Sequence, residues 1–190
     1  GSPPDRAAPF RERYFSAMYE MMNRTSRLTA TLEQRLVRLD SDVASPAALA
    51  GLAWALRDQA GRFSTQHIAG ISSAKPFSAE MLRTLHTGRG RVAQLWEQLR
   101  DRAGAPDSPA ALRESLQKVE AGFFTPFQPL SDRVFNAGTS DGQYDLTPAE
   151  WRRQTAPMLS SIMQVRDAAL TEAERVANSN RLSVSYAEVA

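Results

Sequence analysis

Arg57 and Gly61 stand four residues apart on the flank of Leu52, Leu56, Ala60 and Phe63, an apolar run spaced as one helix face. Trp54 lies one turn before Arg57, and Asp58 lies beside it. A glycine inside a helix costs about 1 kcal/mol relative to alanine, so something must offset it. Either a ligand or a backbone approaches too closely for a side chain, or Gly61 lets two helices touch while Arg57 reaches water. A guanidinium beside such a gap suits an anion. Arg89 is the second informative cation, four residues after Leu85, three before Val92 and seven before Trp96. That spacing puts it within an apolar stripe. A buried guanidinium without a partner is costly, so Arg89 must reach water, meet a carboxylate or hold an anionic ligand. Gly88 and Gly90 flank it with small residues. Helices joined by a short turn run antiparallel, which would let Arg57 and Arg89 face one space. The expected ligand site is therefore Trp54, Arg57, Asp58, Gly61 and Arg89, with a small anionic molecule as its guest.

Other chemistry finds little support. His67 and His86 are the two histidines, without a His-x-x-x-His or Glu-x-x-His spacing, so no metal site is expected. There is no Gly-rich phosphate loop, nucleophile elbow or zincin motif. Asp58 and Glu120 have no recognisable acid or base partner in the sequence. Enzyme activity and a bound cofactor are not expected. Trp96 and Trp151 read as core residues, whereas Trp54 shares a flank with Arg57 and would wall the pocket. The chain has no cysteine, hence no disulfide framework and no thiolate site. Its 23 basic and 21 acidic residues are interleaved, which argues against a nucleic-acid partner.

The elements that must position these residues read as all-α. The sequence of 190 residues is long enough for one domain with a real core. Residues 1–9, with Pro3, Pro4 and Pro9, read as an irregular leader, and Gly1-Ser2 as a cloning scar. Residues 10–190 read as a single domain. Met18, Met21, Thr25, Leu28, Leu32, Leu36, Leu39 and Val43 step by threes and fours, a heptad-like seam on a first long helix. Ser45-Pro46, Ser108-Pro109 and Thr147-Pro148 each look like a helix start, and Glu150 completes a capping box with Thr147. Helices are expected over about 46–71, 78–103 and from 109, the last kinked or broken by Pro126 and Pro129. After a loop over 136–146, a final long helix runs from Thr147 almost to the end. The expectation is an elongated, four-helix-bundle-like fold, two long terminal helices enclosing three shorter ones.

Certain stretches resemble a family. They are Trp54-Ala-Leu-Arg-Asp-Gln-Ala-Gly-Arg62, Ile68-Ala-Gly70, Lys75-Pro-Phe-Ser78, Gly88-Arg-Gly-Arg-Val92 with Trp96, Gly142-Gln-Tyr144 and Thr147-Pro-Ala-Glu-Trp151. Together they are similar to extracytoplasmic sensor domains of bacterial chemoreceptors, sensor kinases and membrane-bound cyclic-dinucleotide enzymes. The likeness spans about residues 45–178. More distantly, the chain resembles the helical nitrate- and nitrite-sensing domains, which hold a small anion with arginines. The resemblance implies a periplasmic bundle of an inner-membrane receptor, with membrane spans outside this chain, before residue 1 and after Ala190. It also implies a homodimer and a ligand-driven displacement of helices. A structural or scaffold bundle acting through its Met and Leu seam is the competing expectation.

Overall fold

Asp40 divides what would otherwise be one very long N-terminal helix. Its backbone is extended (φ −156°, ψ 100°), and its carboxylate accepts from the N–H groups of Asp42 and Val43, both at 3.1 Å. Those bonds satisfy two of the donors that a helix start leaves open. The structure, a computed structural model, describes residues 8–187 and most side chains between 13 and 181. Its elements are α1 (Ala8–Leu39), α2 (Ser41–Ser73), α3 (Ala79–Ala103), α4 (Ala110–Val119), α5 (Thr125–Thr139), α6 (Pro148–Ser161) and α7 (Met163–Ala187). A single wide turn of π-helix, Glu120–Phe124, joins α4 to α5. No strand occurs among the described residues.

The bundle has four rods: α2, α3, α4 continuing into α5, and α6 continuing into α7. Helix α2 is the hub, in contact with α1, α3, α5, α6 and α7. Its buried stripe is Leu49, Ala53, Leu56, Ala60, Phe63, His67 and Ile71, stepping by threes and fours. The alanines in that stripe let neighbouring rods approach closely, while Leu56, fully buried, removes enough apolar surface to stabilise by about 2 kcal/mol. Leu52, expected in the same stripe, is only partly buried against the core. Trp96 and Trp151 are core residues, as their spacing suggests.

Several expected boundaries move. Helix α1 ends at Leu39, so Val43 belongs to α2. Ser45-Pro46 does not start a helix: Asp40 starts α2 five residues earlier, and Pro46 is carried inside it, buried. Ala8 and Pro9 are helical, whereas the rest of the expected leader, with Gly1-Ser2, lies outside the described residues. Ser108 does not cap α4, because its hydroxyl turns back to the Arg102 carbonyl (3.3 Å). Pro126 and Pro129 do not break their helix. The widened turn just upstream, in which the Thr125 N–H reaches the Glu120 carbonyl, absorbs the proline geometry, so α5 runs on to Thr139. The last helix, expected to be continuous, is interrupted at Ile162, where the Val165 N–H bonds the Ile162 carbonyl (3.3 Å). Helix α2, with 33 residues, is as long as α1, with 32, so length is not confined to the chain ends.

Two expected starts hold. Ser78 caps α3 by accepting from the Met81 N–H (3.1 Å). Thr147 and Glu150 form the full capping box, with bonds of 3.2 and 2.8 Å.

The turn between α2 and α3 is clamped by the far side of the bundle. Ala74 takes a left-handed conformation (φ 47°), and the Phe77 ring lies over both Gly70 and Gly138 where a side chain would collide with it. The Phe77 N–H donates to the Gly138 carbonyl (2.6 Å), and the Tyr144 hydroxyl donates to the Lys75 carbonyl (2.9 Å). Gly142 (φ +74°) presses its backbone on Lys75 and Pro76. Any Cβ there would strike backbone, which accounts for glycine at that site.

Helix α1 stands apart from this packing. Much of its expected seam is open: Met21, Leu28, Leu32 and Leu39 are all more than half exposed, while Met18 and Leu36 are half-buried. At its base, the Asn180 side chain of α7 donates to the Asp40 carboxylate (2.9 Å), so the α1–α2 junction and the late part of α7 lie together. No helix among the described residues is long and apolar enough to cross a membrane.

Candidate functional site

Chemistry-bearing side chains meet on two sides of α2. On the side toward α5 and α6, His67 is fully buried. Its Nδ1 lies 2.8 Å from the Phe63 carbonyl and its Nε2 lies 2.8 Å from the Ser131 hydroxyl. A carbonyl only accepts, so Nδ1 carries the proton and Nε2 accepts from Ser131. Burial pushes the imidazole pKa down to about 4, so the ring is neutral around pH 7. Trp151 stacks on it at 4.7 Å and donates its indole N–H to the Ser64 hydroxyl (2.9 Å) and carbonyl (3.1 Å). Thr155 completes the group by bonding the Trp151 carbonyl (2.9 Å). Every polar atom named here is satisfied from within the protein. With Phe63, Phe123 and Phe127 packed around it, this assembly is a specific core rather than a reactive centre.

The five residues expected to bind a ligand do not form one pocket. Trp54 is half exposed on α2. The Arg57 guanidinium folds back over Gly61, with Nη1 2.8 Å from where a Cβ would sit. The space that glycine leaves is thus taken by its own neighbour one turn earlier. Asp58 pairs with Arg62 at 2.8 Å. Arg89 meets the second of its three expected fates. It pairs with Asp132 of α5 at 2.5 Å, with its guanidinium 5.5 Å from the Phe135 ring centre. Its side chain is 46% exposed, so it is not buried in the α3 stripe; that stripe runs through Leu85, Gly88, Val92, Trp96 and Leu99. One residue is about 100° of helix rotation, enough to carry Arg89 from the core line to the rim.

On the opposite flank, α2 and α3 part to leave a cleft of about 240 Å³. Helix α2 contributes Gln59 and Gln66, two turns apart. Helix α3 contributes Glu80, Arg83, Thr84, Thr87, Gly88 and Arg91. Gly88 sets the width: a Cβ there would meet Gln66 Oε1 at 2.8 Å and Phe63 at 2.9 Å. Gln66 Oε1 is buried and has no hydrogen-bond partner. An acceptor in that condition costs about 1–3 kcal/mol. Among the described residues, neither Arg83 nor Arg91 has a carboxylate partner, and Glu80 has no cationic one. This flank therefore carries net positive charge and unspent hydrogen-bonding capacity, where the His67 flank has none to spare.

The expected residues and the cleft lie on the same pair of helices but have no residue in common. Arg57 and Gln59 are two positions apart, which is about 200° around the helix. The signal that was available is the polar ladder Arg83, Thr87, Arg91, stepping by four, opposite Gln59 and Gln66, stepping by seven. His86 is exposed and lies edge-on to Phe135 at 5.2 Å. No group of three or more metal-ligating side chains occurs among the described residues. Comparison of the chain with family models, with curated proteins and with solved structures finds no match.

Proposed function

We propose that this chain is a signal-sensing module that binds a small anionic ligand between α2 and α3 and converts occupancy into a displacement of helices. The observation that carries the reading is the α2–α3 cleft, where Arg83 and Arg91 stand without carboxylate partners among the described residues around an opening about 240 Å³ in volume. Two guanidiniums beside one small space suit a carboxylate or oxyanion. The route outward is physical. Helix α2 forms one wall of the cleft and touches α1, α3, α5, α6 and α7, and its first residue follows Asp40, the extended hinge tied to Asn180. A ligand that binds one setting of α2 against α3 more tightly than another shifts the population between them. On this reading the module works as the periplasmic input domain of a membrane receptor, as a homodimer, with its spans outside this chain.

Thermal-shift screening against carboxylates and oxyanions tests the proposal. A hit should raise the Tm of the wild type and of Arg57→Ala/Arg89→Ala alike, and leave Arg83→Ala/Arg91→Ala unmoved. Equal stabilisation of all three would remove the cleft from consideration. A second reading, a scaffold bundle acting by association, is favoured by the open seam of α1. It expects a stable oligomer by light scattering and no ligand response.

A further inference from the structure

We infer that the exposed face of α1 docks on an anionic lipid surface, lying along the headgroups without crossing the bilayer. The inference is independent of the α2–α3 cleft and concerns the one long helix that the bundle leaves uncovered.

Met21, Leu28, Leu32 and Leu39 form a line of exposed apolar side chains along α1. Thr25 and Thr29 fall on the same face, and each donates its hydroxyl to the carbonyl one turn back, of Met21 (2.9 Å) and Thr25 (3.1 Å). Neither hydroxyl donor is left open on that face. Arg24 and Arg35 each stand four residues before a leucine of the line, Leu28 and Leu39, so they border it. Arg27 and Arg38 keep the same step of about three turns and extend that border. All four arginines are exposed. Arg24 pairs with Glu20 at 2.5 Å, and the other three have no carboxylate partner among the described residues. An apolar face with a basic flank is the pattern of an interfacial helix, whose guanidiniums reach lipid phosphates while their stems follow the apolar surface. Helix α1 is not apolar enough to span a bilayer.

Charge also weighs against a second copy of the chain as the occupant. In the heptad register of the seam, Met18, Thr25, Leu32 and Leu39 take the a positions, and Met21, Leu28 and Arg35 the d positions. A parallel pair would press Arg35 against its own counterpart, with no acid to receive either guanidinium. The flanking g positions, Arg24 and Thr31, would meet Thr29 and Leu36 of the other helix, which offer no salt bridge. An anionic surface matches the whole arginine border at once.

Co-sedimentation of the whole chain with vesicles tests the inference. The probes are vesicles of phosphatidylcholine alone and of phosphatidylcholine mixed roughly two to one with phosphatidylglycerol. The mixed vesicles should bind about 10-fold or more tightly, and added salt should weaken them. Leu28→Ser/Leu32→Ser and Arg24→Gln/Arg35→Gln should each lower that binding about 10-fold or more. The four side chains are exposed, so circular dichroism should show the fold kept. Arg83→Gln/Arg91→Gln removes the same charge from the cleft and should leave vesicle binding unchanged. If that variant loses as much as the α1 variants, or if the leucine variant binds like the wild type, general charge attracts the protein and the inference is wrong. If no vesicle binds, it is equally wrong, and a dimer that Leu28→Ser/Leu32→Ser dissociates in light scattering would assign the face to a second copy. Neither failure touches the cleft, which the thermal-shift screen tests separately.

Discussion

The two flanks of α2 are built on opposite principles. Toward α5 and α6, His67, Ser64, Trp151, Thr155 and Ser131 each find a partner inside the protein, and aromatic rings seal the group from water. Toward α3, Gln66 Oε1 is buried without a partner and Arg83, Arg91 and Glu80 line an open space. A satisfied polar network rigidifies a core, whereas an unsatisfied one is tolerated where something else completes it. The same helix thus carries a closed polar core on one face and an open, partly unsatisfied cleft on the other.

Substitutions on the closed flank should have the largest effects. Trp151→Ala removes a fully buried ring and its indole N–H bond to the Ser64 hydroxyl, so chemical denaturation should show a loss of about 3–5 kcal/mol. A loss below 1 kcal/mol would mean the flank is not the anchor described here.

Acid should act on the same group. The folded pKa of His67 is depressed to about 4 from an ordinary 6.5, so the unfolded chain binds the proton more readily. Stability from this residue is complete above pH 6.5 and is lost as pH falls from 6.5 toward 4, by up to about 3 kcal/mol. Urea midpoints measured across that range should decline, and His67→Phe should flatten this part of the decline.

The open flank should respond in the other direction. Gln66→Leu removes an orphaned buried acceptor, so the ligand-free protein should keep its stability or gain about 1 kcal/mol. A marked loss would mean that Gln66 already has a structural partner.

Two glycines give the finest comparison. At Gly88 an added methyl meets Gln66 and the Phe63 ring, so Gly88→Ala should cost about 1 kcal/mol or more and narrow the cleft. At Gly61 the methyl meets only the movable end of Arg57, so Gly61→Ala should stabilise by up to about 1 kcal/mol. Paired thermal melts would read the opposite signs.

Local chemistry in the sequence was sufficient for the helical class, the Thr147–Glu150 capping box, the Ser78 start and the core roles of Trp96 and Trp151. Each depends on neighbours within one or two turns, where spacing and side-chain type act directly. The hinge at Asp40, the break at Ile162 and the π turn before Pro126 were missed, because each reflects how one rod must bend to meet others. Arg57 and Arg89 illustrate the same division. Their types suggested anion binding, yet Asp132, which neutralises Arg89, lies 43 residues further along the chain. Residue type and periodicity thus determined which segments are helices and which faces are apolar. Only the tertiary structure decided which guanidiniums are already paired and which stand open, since charge compensation is a contact between distant segments and local spacing carries no record of it.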